Sequence, residues 1–321
     1  MRDHEDLCAT IVMMLTVPGG YLDVQINGGW GHHFSDDPTS IWEVGSHLVR
    51  HGVTQFVPTL ISDGFDRLEE AVAVLDAGPP AGWVGAEPVG LHLEGPWLSP
   101  RRAGAHRVDA LRPPDAGQLE GCSWVRIVTL APELPAATET IERLSRAGIV
   151  VSLGHSEARV ADALCAFDAG ASMGTHLFNA MSGLHHRSPG LAAALLLDTR
   201  ASFGLIADGE HVAPDMVRLA WRTAPERLLL VSDAVAALGA TDASVARLEN
   251  GTLAGAVVAI DQCVRNLVDF CDCSLADAAR AASSKPRGVL AIDPPADTFV
   301  ELDASGAVAR TVMAGSVVFE R

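Results

Sequence analysis

The stretch from residue 174 to residue 190 carries an imidazole, an amide and a guanidinium in one short segment, on His176, Asn179 and Arg187. The small residues before His176, Ala171 to Thr175, indicate the end of a buried strand, and the glycines and proline after it indicate a loop. A neutral imidazole nitrogen at such a strand end can bind a metal, and an arginine fork can bind an anion. Alternatively, His176 only hydrogen-bonds a backbone carbonyl and Arg187 is a solvated loop charge. Matching groups at other strand ends decide between these interpretations.

Three further ionisable residues directly follow short apolar runs that predict buried strands. They are Glu94, His155 and Asp233. Two imidazoles and one carboxylate with an open coordination position are typical of a catalytic divalent metal site. Such a metal lowers the pKa of its bound water and polarises a carbonyl group. Glu94, His155 and His176 are therefore the predicted metal ligands.

Two polar residues near this set can move or stabilise charge. Asp233 can accept the proton of an attacking water and deliver it to a leaving nitrogen. His106, in the polar loop after Glu94, can hydrogen-bond a carbonyl oxygen as negative charge develops on it. Glu94 and Asp233 also have ordinary alternatives, as an acceptor for loop amides and as a helix cap. The pairs His32-His33 and His185-His186 do not fall on strand ends, and we interpret them as surface or substrate-loop groups.

Eight short apolar strands alternate with helical segments between residues 22 and 233. This alternation predicts an α/β fold, specifically a (β/α)₈ TIM barrel. A doubly wound open sheet also alternates, but it does not explain why polar residues recur at the C-terminal ends of six strands. In a closed barrel these ends meet at one rim, where the chemistry of such barrels is found. Two helical segments and a few short strands follow, and the strands predict a small β appendage.

Composition narrows the class of protein. The 321 residues, 48% of them hydrophobic and 30 of them glycine, suit one large α/β enzyme domain. A formal net charge of −17 argues against nucleic-acid or anionic-membrane partners, and an anionic substrate would need a local cationic pocket. The six cysteines form no CxxC pair, and the first residues show no export or membrane signal, so we expect a cytoplasmic location.

Seven motifs occur in an order that resembles the N-acetylglucosamine-6-phosphate deacetylase family of the amidohydrolase superfamily. They are His92-Leu93-Glu94-Gly95-Pro96, Gly104-Ala105-His106, Gly154-His155-Ser156, Thr175-His176-Leu177-Phe178-Asn179-Ala180-Met181, Asp208-Gly209-Glu210-His211-Val212, Leu230-Val231-Ser232-Asp233-Ala234 and Thr252-Leu253-Ala254-Gly255. Any one of these motifs is short, but the ordered set is highly specific. It covers nearly the whole chain from Pro18 onwards.

The resemblance implies a metal-dependent amide hydrolase that removes acetate from N-acetyl-D-glucosamine 6-phosphate to give D-glucosamine 6-phosphate in amino-sugar catabolism. It implies Asp233 as general base and acid, while the catalytic role that we expect of His106 rests on its position in the loop after Glu94. The expected metal ligands and substrate contacts are carried over by matching position. The ligands are Glu94, His155 and His176, and the contacts are Ala105, His106, Asn179, Ala180, Arg187, Asp208, Gly209, Glu210, His211, Leu253, Ala254 and Gly255.

The resemblance also implies the metal content and the assembly. Many amidohydrolases carry His-x-His on the first strand for a second metal, whereas this chain has Gln25 and Asn27 there, so one metal ion is expected. Zinc is the first choice, with iron, cobalt and manganese as alternatives. The family arginine that matches Arg187 is thought to serve the neighbouring subunit's site, which implies a homodimer. We expect no nucleic-acid or membrane partner.

The sequence departs from the family at its start. Residues 1–20 look unpatterned, residues 21–290 are assigned to the barrel and its following helices, and residues 291–321 to the C-terminal strands of an incomplete β appendage. A hairpin between Asp233 and Thr252 also looks lost. Two alternatives to the expected activity stay open: a deacetylase of another N-acetylhexosamine phosphate, such as N-acetylgalactosamine 6-phosphate, and a non-catalytic paralog that binds sugar phosphate.

Overall fold

The computed structural model describes residues 14–62, 65–241, 243, 245–247, 251 and 253–321. Its strands are β1 Leu15–Pro18, β2 Tyr21–Ile26, β3 Gly28–Gly29, β4 His32–His33, β5 Val53–Ile61, β6 Glu87–Pro88, β7 Leu91–Glu94, β8 Val125–Leu130, β9 Val150–Leu153, β10 Met173–Gly174, β11 Ser202–Leu205, β12 Leu228–Leu230, β13 Val245–Arg247, β14 Leu253–Ala256, β15 Phe299–Leu302, β16 Val308–Met313 and β17 Ser316–Glu320. Its α-helices are α1 Ile41–Leu48, α2 Phe65–Ala77, α3 Ala137–Arg146, α4 Val160–Asp168, α5 Leu191–Leu197, α6 Pro214–Thr223, α7 Ile260–Cys271, α8 Leu275–Ala281 and α9 Ser284–Leu290.

Eight parallel strands form the barrel, in the order β2, β5, β7, β8, β9, β10, β11, β12. Just beyond β12, the backbone N–H of Asp233 donates to the carbonyl of Gln25 in β2 at 2.8 Å, which joins the two ends of the sheet. Helices cover the outside, so strands such as β2 are buried along their whole length. The predicted (β/α)₈ barrel is confirmed.

A chain of buried hydrogen bonds fills the barrel below its C-terminal rim. The distances are 2.5 Å from Ser152 Oγ to Thr175 Oγ1, 2.6 Å from Thr175 Oγ1 to Thr129 Oγ1, and 2.7 Å from Thr129 Oγ1 to Nε2 of His92. Nδ1 of His92 lies 3.1 Å from the carbonyl of Val24. Burial lowers the pKa of His92 to about 4, so the ring is neutral and donates to Val24. Each hydroxyl can then donate to the next group, which satisfies the whole chain.

The small appendage is a four-stranded antiparallel sheet in the order β1, β15, β16, β17. Its first strand pairs Leu15 with Leu302 and Pro18 with Phe299. The expectation that residues 1–20 are unpatterned is therefore wrong at residues 15–18, and residues 1–13 lie outside the described part of the chain. Four residues are too few for alternation to be recognised, and their partner lies nearly 300 residues away.

The segment after Asp233 contains an antiparallel pair of strands, β13 with β14, in the region where a hairpin looked lost. Thr252, next to β14, lies outside the described residues. No helix of the described residues is both long enough and apolar enough to cross a membrane.

Candidate active site

Three side chains meet at the C-terminal rim of the barrel. Glu94 ends β7, while His155 and His176 each lie two residues beyond β9 and β10. Oε1 of Glu94 is 3.2 Å from Nε2 of His155 and 3.0 Å from Nε2 of His176, and the two Nε2 atoms are 3.1 Å apart. All three residues are buried. The structure thus brings together the three predicted metal ligands.

The geometry of these donor atoms suits a metal ion. In a tetrahedral zinc site with bonds of 2.0–2.1 Å, neighbouring ligand atoms are separated by about 3.3 Å, close to the separations seen here. Nδ1 of His155 lies 2.9 Å from the carbonyl of Arg102, so this nitrogen carries the proton and Nε2 offers its lone pair to the site. Converging lone pairs repel one another unless a cation lies between them. The residues therefore fit the divalent metal implied by the resemblance.

The backbone at the rim adopts uncommon conformations. His155, His176 and Asp233 have positive φ angles of 47°, 25° and 49°. Non-glycine residues rarely take such values, and they concentrate at functional sites where the surroundings hold them. The backbone before His176 is also closely packed, since a Cβ placed on Gly174 would lie 2.4 Å from Cδ1 of Leu195. Two short turns thus aim both imidazoles into the barrel mouth.

Asp233 stands beside the metal-ligand set and is held by two amides. Nδ2 of Asn27 donates to its Oδ1 at 2.8 Å, and Nε2 of Gln25 donates to Oδ1 at 3.3 Å and to Oε1 of Glu94 at 3.0 Å. Burial, then the charge of Glu94, raises the pKa of Asp233 to about 6. A carboxylate with such a pKa is suited to accepting and returning a proton near neutrality.

Glu94 itself is ionised. Burial raises the pKa of this carboxyl, but the close imidazoles of His106, His155 and His176 outweigh that effect and hold the pKa well below its usual range. Glu94 and Asp233 therefore differ in their affinity for a proton. This difference favours Glu94 as a permanent anionic ligand and Asp233 as the group that exchanges protons.

His106 has a defined tautomer. The backbone N–H of Ser62 donates to its Nδ1 at 3.1 Å, and Oγ of Ser62 lies 2.8 Å from the same nitrogen. Because Nδ1 accepts, Nε2 carries the proton, and it lies 3.7 Å from Oε2 of Glu94. Burial lowers the pKa of His106, so the ring stays neutral. It can offer one N–H to an oxygen that gains negative charge.

A cavity of about 400 Å³ opens above these residues. Twelve of the sequence-predicted site residues line it. They are Glu94, Ala105, His106, His155, His176, Asn179, Ala180, His211, Asp233, Leu253, Ala254 and Gly255. The structure thus collects residues from loops that are far apart in the chain.

Four predicted site residues do not line this cavity. Arg187 lies exposed in the loop before α5. Asp208, Gly209 and Glu210 form the turn that leads to His211, and Oδ2 of Asp208 lies 2.6 Å from Nδ1 of His211. Oδ1 of Asp208 also accepts the backbone N–H groups of Glu210 and His211. Asp208 therefore orients His211, which leaves Nε2 of that ring to face a ligand.

Some lining residues were not predicted from the sequence. Asn27 borders the cavity, and His33 lines it from β4, although the sequence placed His33 only among surface or substrate-loop groups. Arg101 and Arg102 line it from the loop that carries His106. The position of the Gln25-x-Asn27 motif on the first strand was a usable signal for Asn27. Nothing in the sequence showed how the loops fold back over the rim.

Comparisons with known proteins agree with this geometry. The model of the Amidohydrolase family matches residues 15–299. The chain is 37% identical to bovine "N-acetylglucosamine-6-phosphate deacetylase", covering 94% of this chain and 83% of the relative. It is 34% identical to "N-acetylgalactosamine-6-phosphate deacetylase" of Escherichia coli O157:H7, covering 91% and 80%.

Solved structures resemble the fold equally well. A mutant N-acetyl-D-glucosamine-6-phosphate deacetylase from Mycobacterium smegmatis, in complex with N-acetyl-D-glucosamine-6-phosphate, superposes with a TM-score of 0.87. It is 37% identical, with 95% of this chain and 87% of that chain covered. The N-acetylglucosamine-6-phosphate deacetylase of Thermotoga maritima gives a TM-score of 0.86 at 30% identity, with 95% and 89% covered.

Proposed function

We propose, from the premise that the chain belongs to the amidohydrolase family, that it hydrolyses the acetamide of N-acetyl-D-glucosamine 6-phosphate to acetate and D-glucosamine 6-phosphate. The observation that carries this proposal is the buried cluster of Glu94, His155 and His176, whose ligand atoms lie within 4.8 Å of one another beside Asp233. The relatives named N-acetylglucosamine-6-phosphate deacetylase match most of the chain. Acetate release from this substrate by the purified protein tests it.

The residues around the cluster provide the proton transfers of amide hydrolysis. A bound metal would supply Lewis acidity, polarising the acetamide carbonyl and acidifying a water. Asp233 removes a proton from the attacking water and then delivers it to the leaving nitrogen. Gln25 and Asn27 hold Asp233 in position by their amide donors. The Nε2–H of His106 donates a hydrogen bond to the carbonyl oxygen as negative charge develops on it.

We propose one zinc ion as the resident metal, with iron, cobalt and manganese as alternatives. Two imidazoles and a carboxylate are a typical catalytic zinc set. The amide groups of Gln25 and Asn27 are turned with their N–H donors toward carboxylates, an orientation that suits hydrogen bonding rather than a second metal. We also propose a cytoplasmic location, which the free thiols of all five cysteines in the described residues support.

Arg187 provides a test of the proposed homodimer. It lies exposed outside the cavity of its own chain, and we propose that it binds the substrate phosphate in a neighbouring subunit. Arg187→Ala is expected to raise KM for N-acetylglucosamine 6-phosphate roughly 10- to 100-fold, as for loss of a hydrogen bond to a charged group. KM for unphosphorylated N-acetylglucosamine should change little. Steady-state kinetics with both sugars measure this, and equal effects on both would contradict a role in phosphate binding.

Asn27 provides a test of how Asp233 is held. Asn27→Leu removes the 2.8 Å donor to Oδ1 of Asp233 while keeping a similar volume. We expect kcat to fall roughly tenfold or more, because the base loses its orientation, with metal content unchanged. Gln262→Leu, which removes an amide on α7 outside the cavity lining, is the control. Wild-type kcat in Asn27→Leu would show that this hydrogen bond does not position the base.

The second candidate substrate is N-acetylgalactosamine 6-phosphate. The relative of that name from Escherichia coli O157:H7 shares 34% identity with this chain. Epimer choice depends on the shape of the loops around the sugar, and both substrates would use the same catalytic residues. Measuring kcat/KM for the two epimers side by side decides between them. A non-catalytic paralog is disfavoured by the presence of both a complete ligand set and Asp233.

A further inference from the structure

The cavity must accept an anion although its catalytic groups are acidic. Glu94 and Asp233 both line it, and the chain carries a formal net charge of −17. A phosphate monoester near pH 7 carries a charge of about −1.5 to −2. Such a ligand is repelled unless a cation lies close to it. Binding of such a ligand therefore requires a positive charge in the cavity that no carboxylate of the protein neutralises.

Two arginines line the cavity, and only one of them is neutralised. Arg102 forms an ion pair with Glu157 through its Nε. In the part of the chain that the structure describes, the side chain of Arg101 forms neither a hydrogen bond nor an ion pair. Its guanidinium group is exposed at the cavity wall, with all five N–H donors available to a ligand. Arg101 is thus the permanent cation that the cavity itself offers without a protein partner.

The loop that carries Arg101 is fixed against the catalytic centre. The backbone N–H of Ser99 donates to the carbonyl of His155 at 2.9 Å, and that of Arg102 donates to the carbonyl of Ser99 at 2.9 Å. Nδ1 of His155 in turn lies 2.9 Å from the carbonyl of Arg102. These bonds hold both ends of the short turn Pro100–Arg102. Arg101 is therefore presented from an anchored turn.

The same loop borders residues that we expect to contact the sugar phosphate. A Cβ placed on Gly104 would lie 3.8 Å from Cβ of Ala180 and 3.4 Å from Cε1 of His155. Asn179 and Ala180 line the cavity next to this contact. The turn of Arg101 and the Asn179-Ala180 segment therefore form adjoining parts of one wall.

We propose that Arg101 binds the phosphate group of the sugar phosphate from within the same chain. Its planar fork can donate two parallel hydrogen bonds to phosphate oxygens, an arrangement that favours arginine over lysine. Arg187 of a neighbouring subunit would add a second cation, whereas Arg101 belongs to the cavity of each single chain. The inference rests on the proposed function for the identity of the ligand.

The test measures binding separately from turnover. The Asp233→Asn variant, reconstituted with metal, is titrated calorimetrically with N-acetylglucosamine 6-phosphate, and the titration is repeated after adding Arg101→Ala, Arg101→Lys or Arg222→Ala. Arg222 is an exposed arginine on α6 outside the cavity lining and serves as the matched control. We expect Kd to rise roughly tenfold or more with Arg101→Ala, as for loss of a charge-assisted hydrogen bond. The Kd of the Arg101→Lys variant should lie between those of Arg101→Ala and the parent Asp233→Asn protein. Arg222→Ala should leave Kd unchanged.

Two outcomes would overturn the role of Arg101: an unchanged Kd in Arg101→Ala, or no measurable binding of the sugar phosphate by the Asp233→Asn protein. An equal loss of affinity in Arg222→Ala would also overturn it, because the effect would then reflect overall charge. Failure of the proposed function has a different signature. In that case the wild-type protein releases no acetate, while the dependence of sugar-phosphate binding on Arg101 still decides this inference.

Discussion

Asp233→Asn is expected to lower kcat for acetate release by roughly 10²- to 10⁴-fold, the usual contribution of a positioned acid–base group. The asparagine keeps the shape of the side chain. Its Oδ1 can still accept the hydrogen bond that Nδ2 of Asn27 donates to Asp233 at 2.8 Å in the unchanged protein. It cannot take a proton from water or return one to the leaving nitrogen. Measurement of kcat and of metal content on the same preparation tests this.

Metal content and folding should survive this substitution. Asp233 is not one of the three residues whose ligand atoms cluster within 4.8 Å. Its charge is also unfavourable where it stands, since burial and the charge of Glu94 raise its pKa to about 6. A neutral amide therefore costs little stability. Wild-type turnover in Asp233→Asn would remove Asp233 from the mechanism, and loss of metal would make it a ligand instead of a proton carrier.

Glu94→Gln is expected to lose the metal and, with it, measurable turnover. The carboxylate is the only anion among the three clustered ligands, and its Oε1 lies 3.0 and 3.2 Å from the two imidazole nitrogens. An amide oxygen is a much weaker ligand for zinc. Loss of a residue that only hydrogen-bonds to a metal ligand lowers metal affinity roughly 10- to 100-fold. Loss of the ligand itself should therefore lower it further.

Metal analysis of purified Glu94→Gln, together with acetate release, measures this effect. Glu43→Gln is the control, because Glu43 is exposed on α1 and is not among the residues that line the cavity. It should keep wild-type metal content and turnover. Stoichiometric metal in Glu94→Gln would show that the cluster does not hold the ion.

The barrel and its catalytic rim were predictable because parallel strands leave a regular trace in the sequence. Short apolar runs alternate with helices, and six of the eight runs end at polar residues. Barrel closure then requires the C-terminal ends to meet, although Glu94 and Asp233 are 139 positions apart by their numbers. The resemblance supplied the roles that geometry alone leaves open, such as the contacts of Asn179 and Ala180.

Other parts were not predictable, for identifiable reasons. Strand β1 is recognisable only through its pairing with β15, and such long-range pairing leaves no local periodicity. Helix α5 has the sequence LAAALLL and therefore no polar face, and six of its seven residues are buried. A run that is apolar on all sides shows no 3.6-residue pattern.

The loops limited prediction of the site most. Arg101 and His33 lie in segments with no strand-end signal, and they line the cavity only because turns fold back over the rim. Backbone hydrogen bonds between distant loops fix the course of these segments. One example is the bond that the N–H of Trp30 donates to the carbonyl of Leu238 at 2.5 Å. Such contacts depend on the assembled barrel. The spacing of residues in the sequence therefore predicted the catalytic centre but not all of the residues that line the cavity above it.

The most direct test of the proposed function is acetate release from N-acetylglucosamine 6-phosphate by the purified chain, with bound metal quantified on the same sample. We expect about one divalent metal per chain and acetate release that stops when the metal is chelated and returns when it is restored. A folded, metal-loaded protein that releases no acetate from this sugar phosphate or from its galactosamine epimer would contradict it.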